Sequence, residues 1–358
     1  MDLRRCVASL LLSCVFPFLA LGLLAANQKE NAGHIHVGVN MVLVDVAVED
    51  HQGQGVDGLT QNDFEIREDG KPQAISYFDH QNQLPLAVAL VVDVSGSMTE
   101  FMAPLRVATL SALHSMKPAD QVALFEFSDK VQVSVELTRD KPTVSDALEA
   151  AAGGGRTNIN DALYEAARYL KEKAPIDARR VIILVSDNVD NVPAIPDPNN
   201  PNDPLRARAL PSQVQNEILQ ASTTLESLQV GRVGQTLVIT PLGEQQWVQD
   251  RDDLHKASLG LVHVARLAPE TGGETFDANK YESLDAAVGA IFKRIETRYT
   301  LGYYPAHPLG SGRFHRLQVR LNDAAGRSHR KYKVLTRSGY FSMSRDRETT
   351  REEALAGN

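Results

Sequence analysis

Cysteine is nearly absent from this chain of 358 residues, because its two cysteines, Cys6 and Cys14, both lie within the first 26 residues. The chain beyond residue 26 therefore cannot form a disulfide of its own, and a hydrophobic core or a bound metal must hold it together. An excess of positive charge is also missing, since the formal net charge is −8. Phosphate binding needs a basic face, so this charge argues against a nucleic acid partner.

Long apolar runs are missing beyond residue 26, which leaves the N-terminus as the one candidate for contact with a membrane. Arg4 and Arg5 precede an uncharged run over residues 6–26, which ends in small residues suited to cleavage. Residues 1–26 are therefore predicted to be an export signal, which would place the mature protein in the periplasm, the cell envelope or outside the cell. The run is also long enough for an uncleaved membrane anchor, and this alternative stays open.

Short alternating strands are predicted at both ends of the remaining chain. Segment 37–82 contains the alternating stretch "VNMVLVDVAVE" and a strand–turn–strand pattern around Asp69 and Gly70. Segment 299–342 alternates in the same way. Neither segment is large enough to be stable alone, so we expect the two to pack together as a small β domain. Residues 343–358 are polar and predict a loose tail.

The central part of the chain, residues 85–298, has a different pattern. Residues 86–92 are apolar throughout, as in a strand that helices cover on both faces. Helical spacing of apolar residues follows at 99–116, and "INDALYEAARYLKEK" predicts another helix. Strands that alternate with helices predict an α/β fold with a doubly wound, mostly parallel sheet and helices on both faces. We also expect a long Pro-rich loop at 188–212 and a helix at 212–228.

Short oxygen-bearing side chains follow the strands of this central part. Asp93, Ser95 and Ser97 stand at every second position after the first buried strand, Asp187 follows another buried strand, and Thr157 comes after three glycines. Ligands of open α/β sheets bind beyond the carboxyl ends of the strands, where these side chains would meet. Hard oxygen ligands without His or Cys fit Mg²⁺, Mn²⁺ or Ca²⁺ rather than zinc or copper.

These segments resemble the metal-ion-dependent adhesion site (MIDAS) of von Willebrand factor type A domains. "DVSGSM", "GGRTNINDAL" and "LVSDNVDN" correspond to the family pattern of Asp-x-Ser-x-Ser, a distant Thr after a Gly-rich loop and a distant Asp that ends a strand. The flanking "LTQNDFEIREDGKPQ" and "YTLGYYP" are similar to those of a bacterial subgroup of exported VWFA-related proteins. The likeness extends over roughly residues 37–341.

The resemblance implies a Rossmann-like domain that holds a divalent cation, most often Mg²⁺. Ser95, Ser97 and Thr157 would bind it directly, and Asp93 and Asp187 directly or through water. An acidic side chain of a partner protein would fill the open coordination position, so the favoured function is protein binding and not catalysis. A membrane would be contacted only by an uncleaved N-terminal segment.

Some features of the site depart from the family pattern or stay ambiguous. Asn188 stands where the family has Gly directly after the Asp, and Asn tolerates left-handed backbone. The Pro-rich loop leaves the same edge and would either shape the partner surface or cover the cation. Asp190 is either a helper of the site or a loop acid. A helix that begins at Ser97 would favour an incoming carboxylate.

Two other functions stay open at this point. A metal-dependent hydrolase or a chelatase-like subunit would use the same edge, but the predicted site contains no His or Glu to act as a general base. The chain would otherwise be a structural envelope protein whose metal site is not functional. Nucleotide binding is disfavoured, since no phosphate-binding glycine motif follows the first strand.

Overall fold

The fold comes from a computed structural model that describes residues 41–80, 84–231, 235–239, 245–249, 253–306, 312–322 and 332–342, of which 235–239, 245–249 and 253–255 are described by backbone alone. The predicted export signal and the predicted polar tail both lie outside these residues. Within the part of the chain that is described, no helix combines the length and the apolar character needed to span a membrane.

The described residues form sixteen strands and seven α-helices. The strands are β1 (Val42–Glu49), β2 (Phe64–Glu68), β3 (Lys71–Gln73), β4 (Tyr77–Asp79), β5 (Leu86–Asp93), β6 (Gln121–Phe127), β7 (Val131–Thr138), β8 (Arg179–Ser186), β9 (Thr223–Gln229), β10 (Gln235–Ile239), β11 (Gln245–Gln249), β12 (Thr275–Asp277), β13 (Tyr299–Tyr303), β14 (Phe314–Leu321), β15 (Lys333–Thr336) and β16 (Gly339–Phe341). The helices are α1 (Met102–Ser115), α2 (Lys141–Ala150), α3 (Ile159–Lys173), α4 (Pro211–Gln220), α5 (Asp253–Ser258), α6 (Val264–Glu270) and α7 (Leu284–Glu296).

A six-stranded sheet with the order β12-β9-β8-β5-β6-β7 forms the centre of the α/β part. All of its neighbouring strands are parallel except β7, which runs antiparallel to β6. Helices α1, α2 and α7 cover one face, and α3, α4 and α6 cover the other. Every residue of β5 is buried, which explains why its sequence does not alternate. The predicted doubly wound α/β fold is confirmed.

The two ends of the chain form two further antiparallel sheets of four strands each, β15-β1-β13-β4 and β16-β14-β2-β3. Each sheet contains strands from both the N-terminal and the C-terminal segment. Val44, Ile66, Leu301 and Tyr303 belong to one core that the two sheets share. The prediction of a small β domain built from both ends of the chain is therefore confirmed.

The helix predicted over 212–228 is wrong for its second half. Helix α4 ends at Gln220, and the sequence "TTLESLQ" forms β9, an interior strand of the central sheet. The polar residues of this stretch hid the strand, because an interior strand is expected to be apolar. Glu226 is a polar residue that is nevertheless fully buried. Its Oε1 accepts a hydrogen bond of 2.5 Å from Arg298, a partner 72 residues away.

Buried arginines join the β domain to the α/β part. Arg294 on α7 forms an ion pair of 2.5 Å with Glu49 on β1 and lies 3.5 Å from Glu226. Arg298, next to β13, also donates a hydrogen bond of 2.9 Å to the carbonyl of Gly272. The side chains of Arg298 and Glu226 are 1% and 0% exposed, so loss of Glu226 leaves the Arg298 guanidinium buried without this carboxylate.

Replacement of Glu226 by Ala is expected to lower the free energy of unfolding by about 3–5 kcal/mol, because the Arg298 guanidinium stays buried without its carboxylate. Urea denaturation followed by circular dichroism measures this loss. The double variant Glu226→Met with Arg298→Met should recover much of the stability, since this charged pair is then replaced by apolar groups. A Glu226→Ala variant as stable as the wild type would contradict this account of the pair.

Candidate metal centre

Two predicted metal ligands, Asp93 and Asp187, leave neighbouring strands of the central sheet side by side. Strands β5 and β8 are parallel with Val92 opposite Val185, so the residues that follow emerge at the same edge. Asp93 is completely buried and Asp187 is 8% exposed. Burial and then the negative charge of Asp187 raise the pKa of Asp93 to about 7. A bound cation would relieve the repulsion between these carboxylates.

The two predicted serine ligands follow Asp93 in a tight turn. The amide of Ser95 donates a hydrogen bond of 2.8 Å to Asp93 Oδ1, and the Oγ atoms of Ser95 and Ser97 lie 3.2 Å apart. Ser97 lies within a short 3₁₀ turn, Gly96–Met98, and α1 begins only at Met102. The prediction that a helix begins at Ser97 is therefore wrong, because this turn separates the serine from the helix.

The glycine loop that precedes Thr157 packs directly on the backbone of the serine turn. The amide of Gly154 donates a hydrogen bond of 2.7 Å to the carbonyl of Val94. A Cβ atom on Gly153 would lie 2.7 Å from the same carbonyl oxygen, so a larger residue could not approach this closely. Thr157 follows on this loop and is 1% exposed. The third predicted segment thus reaches the same edge as the two carboxylates.

The structure brings the three segments with predicted ligands together, and the role of each residue as a ligand stays a prediction. Two carboxylates and three hydroxyls are a donor set that suits a hard divalent cation. Across the described ranges, no group of three or more His, Cys, Asp or Glu side chains is placed to hold a metal ion. Hydroxyl groups would therefore have to complete a cation site at this edge. The predicted ligands are Asp93, Ser95, Ser97, Thr157 and Asp187.

Ser186, which had no predicted role, binds one of the two carboxylates. The Oγ of Ser186 donates a hydrogen bond of 2.6 Å to Asp93 Oδ2 and accepts one of 2.9 Å from the amide of Asn188. Asn188 has a φ of 59°, the left-handed conformation expected where Asn replaces the family's Gly. Ser186 stands directly before Asp187 in the sequence. Its role could not be predicted, because the sequence does not show that its hydroxyl binds Asp93.

The Pro-rich loop packs beside this edge, on the N-terminal end of α3. Asp161 Oδ1 accepts hydrogen bonds from the amides of Arg208 and Ala209 at 2.8 and 2.9 Å. Asp203, also on the loop, forms an ion pair with Arg156. The residues around the serine turn stay exposed, namely Gly96, Thr99 and Glu100. Of the two roles expected for the loop, this arrangement favours shaping the surface beside the site.

A family model of the von Willebrand factor type A domain matches residues 88–189. The match begins within β5 and ends two residues after Asp187, so it includes all five predicted ligands. This chain contains a von Willebrand factor type A domain. No curated protein sequence matches the chain. The assignment to an exported bacterial subgroup stays a prediction.

The solved structures that are similar to this chain are distant from it in sequence. An aerotolerance-related membrane protein from Bacteroides fragilis is 15% identical, with 59% of this chain and 98% of that chain covered and a TM-score of 0.44. A von Willebrand factor type A protein from Catenulispora acidiphila is 12% identical, with coverage of 80% and 75% and a TM-score of 0.41. Proximal thread matrix protein 1 from the mussel byssus, with a zinc-occupied MIDAS motif, is 15% identical, with coverage of 65% and 50% and a TM-score of 0.41. Likeness at this level carries no argument about the function of this chain.

Without divalent cations, Asp93 is expected to make the fold less stable as the pH rises. Its pKa is raised from 3.8 to about 7 in the folded protein, so its contribution is fully present below the unfolded pKa and is lost as the pH rises through about 7. The Asp93→Asn variant lacks this titration and should gain stability relative to the wild type between about pH 4 and pH 8. Urea denaturation in EDTA across this range measures the difference. A difference that does not change with pH would contradict the raised pKa.

Proposed function

We propose that this chain is an exported protein that binds a protein partner through a divalent cation. The supporting observation is the convergence of three segments at the carboxyl edge of the von Willebrand factor type A domain, where two buried carboxylates follow the paired strands β5 and β8 and the glycine loop packs on the serine turn. The predicted N-terminal signal supports a location in the periplasm, the cell envelope or outside the cell. The cation would be Mg²⁺, and the oxygen donors also suit Mn²⁺ or Ca²⁺.

The neutral hydroxyl donors and the exposed surface beside the site leave room for an acidic group to bind the cation. Asp93 and Asp187 supply two negative charges, and the hydroxyls of Ser95, Ser97 and Thr157 supply none. When bound, the cation provides a positive centre that attracts an acidic side chain from outside. The exposed surface around the serine turn gives such a side chain access to the site. We infer a binding function without covalent chemistry.

Addition of Mg²⁺ is expected to raise the Tm of the protein, and EDTA should reverse the change, because a ligand that binds only the folded state stabilises it. At a concentration of 100 Kd, the gain is about 2.7 kcal/mol. Asp93→Ala should abolish the response. Glu100→Ala, which removes an exposed carboxylate close to the same turn, serves as the control and should retain it. Identical melting curves with and without Mg²⁺ would argue strongly against the cation site.

Capture of a partner should require both the cation and Asp93. Wild-type protein, Asp93→Ala and Glu100→Ala are immobilised and incubated with envelope proteins of the source organism, in Mg²⁺ or in EDTA. Mass spectrometry then identifies the retained proteins. The proposal predicts a partner that wild type and Glu100→Ala retain in Mg²⁺ and that is lost in EDTA and with Asp93→Ala. A partner retained equally in EDTA would indicate binding elsewhere on the chain.

A further inference from the structure

The backbone of Thr157 is held by a turn that follows β8. The amide of Thr157 donates a hydrogen bond of 2.8 Å to Oδ1 of Asn191. The carbonyl of Thr157 accepts two hydrogen bonds, each of 3.1 Å, from the amides of Asn191 and Val192. Both backbone polar groups of the predicted threonine ligand are thus bound by this one turn.

Asp190 fastens the same turn to the start of α3. Its carboxylate accepts a hydrogen bond of 3.3 Å from the amide of Val192 and lies near enough to the amide of Ile159, the first residue of the helix, for that amide to offset part of the rise in its pKa. The residue is 6% exposed, and its Oδ2 has no hydrogen-bond partner among the described residues. A buried carboxylate oxygen without a hydrogen-bond partner lowers the free energy of unfolding, so its presence points to a role of Asp190 in the neighbouring candidate metal site.

Two contacts of Asn158 also hold the start of α3. The amide of Asn158 donates a hydrogen bond of 2.9 Å to the carbonyl of Ser128. The side chain of Asn158 caps the helix by accepting a hydrogen bond of 3.1 Å from the amide of Asp161. The peptide group before Thr157 is therefore held by the side chain of Asn191, and the peptide group after it is held by the amides of Asn191 and Val192 and by the Ser128 carbonyl. The direction of the threonine side chain follows from these two peptide groups.

We propose that Asn191, supported by Asp190, is a positioning residue that directs the Thr157 hydroxyl to the cation. The inference rests on the proposed function, because it concerns the same site. Asn191 comes four residues after Asp187. The segment that contains Asp187 therefore also orients the hydroxyl of Thr157, which follows the distant glycine loop. Residues that orient metal ligands in this way typically change metal affinity about 10–100-fold when they are replaced.

The test is a double-mutant cycle with Mn²⁺ as the probe, measured by isothermal titration calorimetry. Asn191→Ala and Thr157→Val should each weaken Mn²⁺ binding about 10-fold or more. The double variant should bind no more weakly than Thr157→Val alone, because Asn191 acts only through that hydroxyl. Asn199→Ala, at an exposed asparagine of the Pro-rich loop, is the matched control and should keep wild-type affinity.

Two further measurements separate positioning from a general effect on folding. Water-proton relaxation of bound Mn²⁺ should rise in both Asn191→Ala and Thr157→Val, because water takes the place of the hydroxyl. A purely structural role would leave the relaxation of bound Mn²⁺ unchanged. Asn191→Asp keeps the oxygen that accepts from the Thr157 amide and should bind Mn²⁺ at least as tightly as the wild type, even if Asn191→Ala does not fold.

Three outcomes would overturn the inference. Wild-type affinity in Asn191→Ala, or additive losses in the double variant, would show that Asn191 does not act through the hydroxyl. Failure of Asn191→Asp to restore binding would have the same meaning. These results leave the proposed function intact if Thr157→Val and Asp93→Ala still weaken binding. A wild-type protein that binds no Mn²⁺ would instead remove the proposed function and this inference together.

Discussion

The close approach of two buried carboxylates, Asp93 and Asp187, is the constraint on which the site depends. Parallel pairing of β5 with β8 brings them to one edge, and their burial weakens the screening of their charges by water. The hydroxyl of Ser186 and the amide of Ser95 bind Asp93 but bring no net charge. A divalent cation would supply that charge, and the hydroxyls of the surrounding loops would complete its coordination.

Among the described residues, the β domain packs at the end of β8 opposite to this edge. The β domain attaches where β8 begins, since Arg179 Nε lies 3.3 Å from Asp45 Oδ2 on β1. The site lies at the other end of the same strand, after Ser186. Helices on both faces keep the sheet buried, so the carboxyl edge is formed by loops that can carry polar side chains. One end of the sheet thus packs against the β domain, and the described residues at the other end include the predicted cation ligands.

Elements whose residues are all buried among apolar side chains could be predicted from the sequence. Elements that depend on a polar partner far away in the sequence could not. Strand β5 is apolar at every position before Asp93, and the triplet Asp93, Ser95 and Ser97 has a spacing that is specific to its family. Strand β9 was hidden because Glu226 is polar in the sequence, and its ion-pair partners Arg294 and Arg298 come close to it only in the fold. The role proposed for Asn191 was not predictable for the same reason, because its contact with Thr157 is formed across the sheet edge.

The most direct measurement is a crystal structure of the protein grown with Mn²⁺, with an anomalous difference map that locates the ion. The account predicts one Mn²⁺ peak at the carboxyl edge of the central sheet, surrounded by side-chain oxygens from the segments that contain Asp93, Thr157 and Asp187. A map without a peak at this edge, or with an ion held by one of these segments alone, would contradict the account.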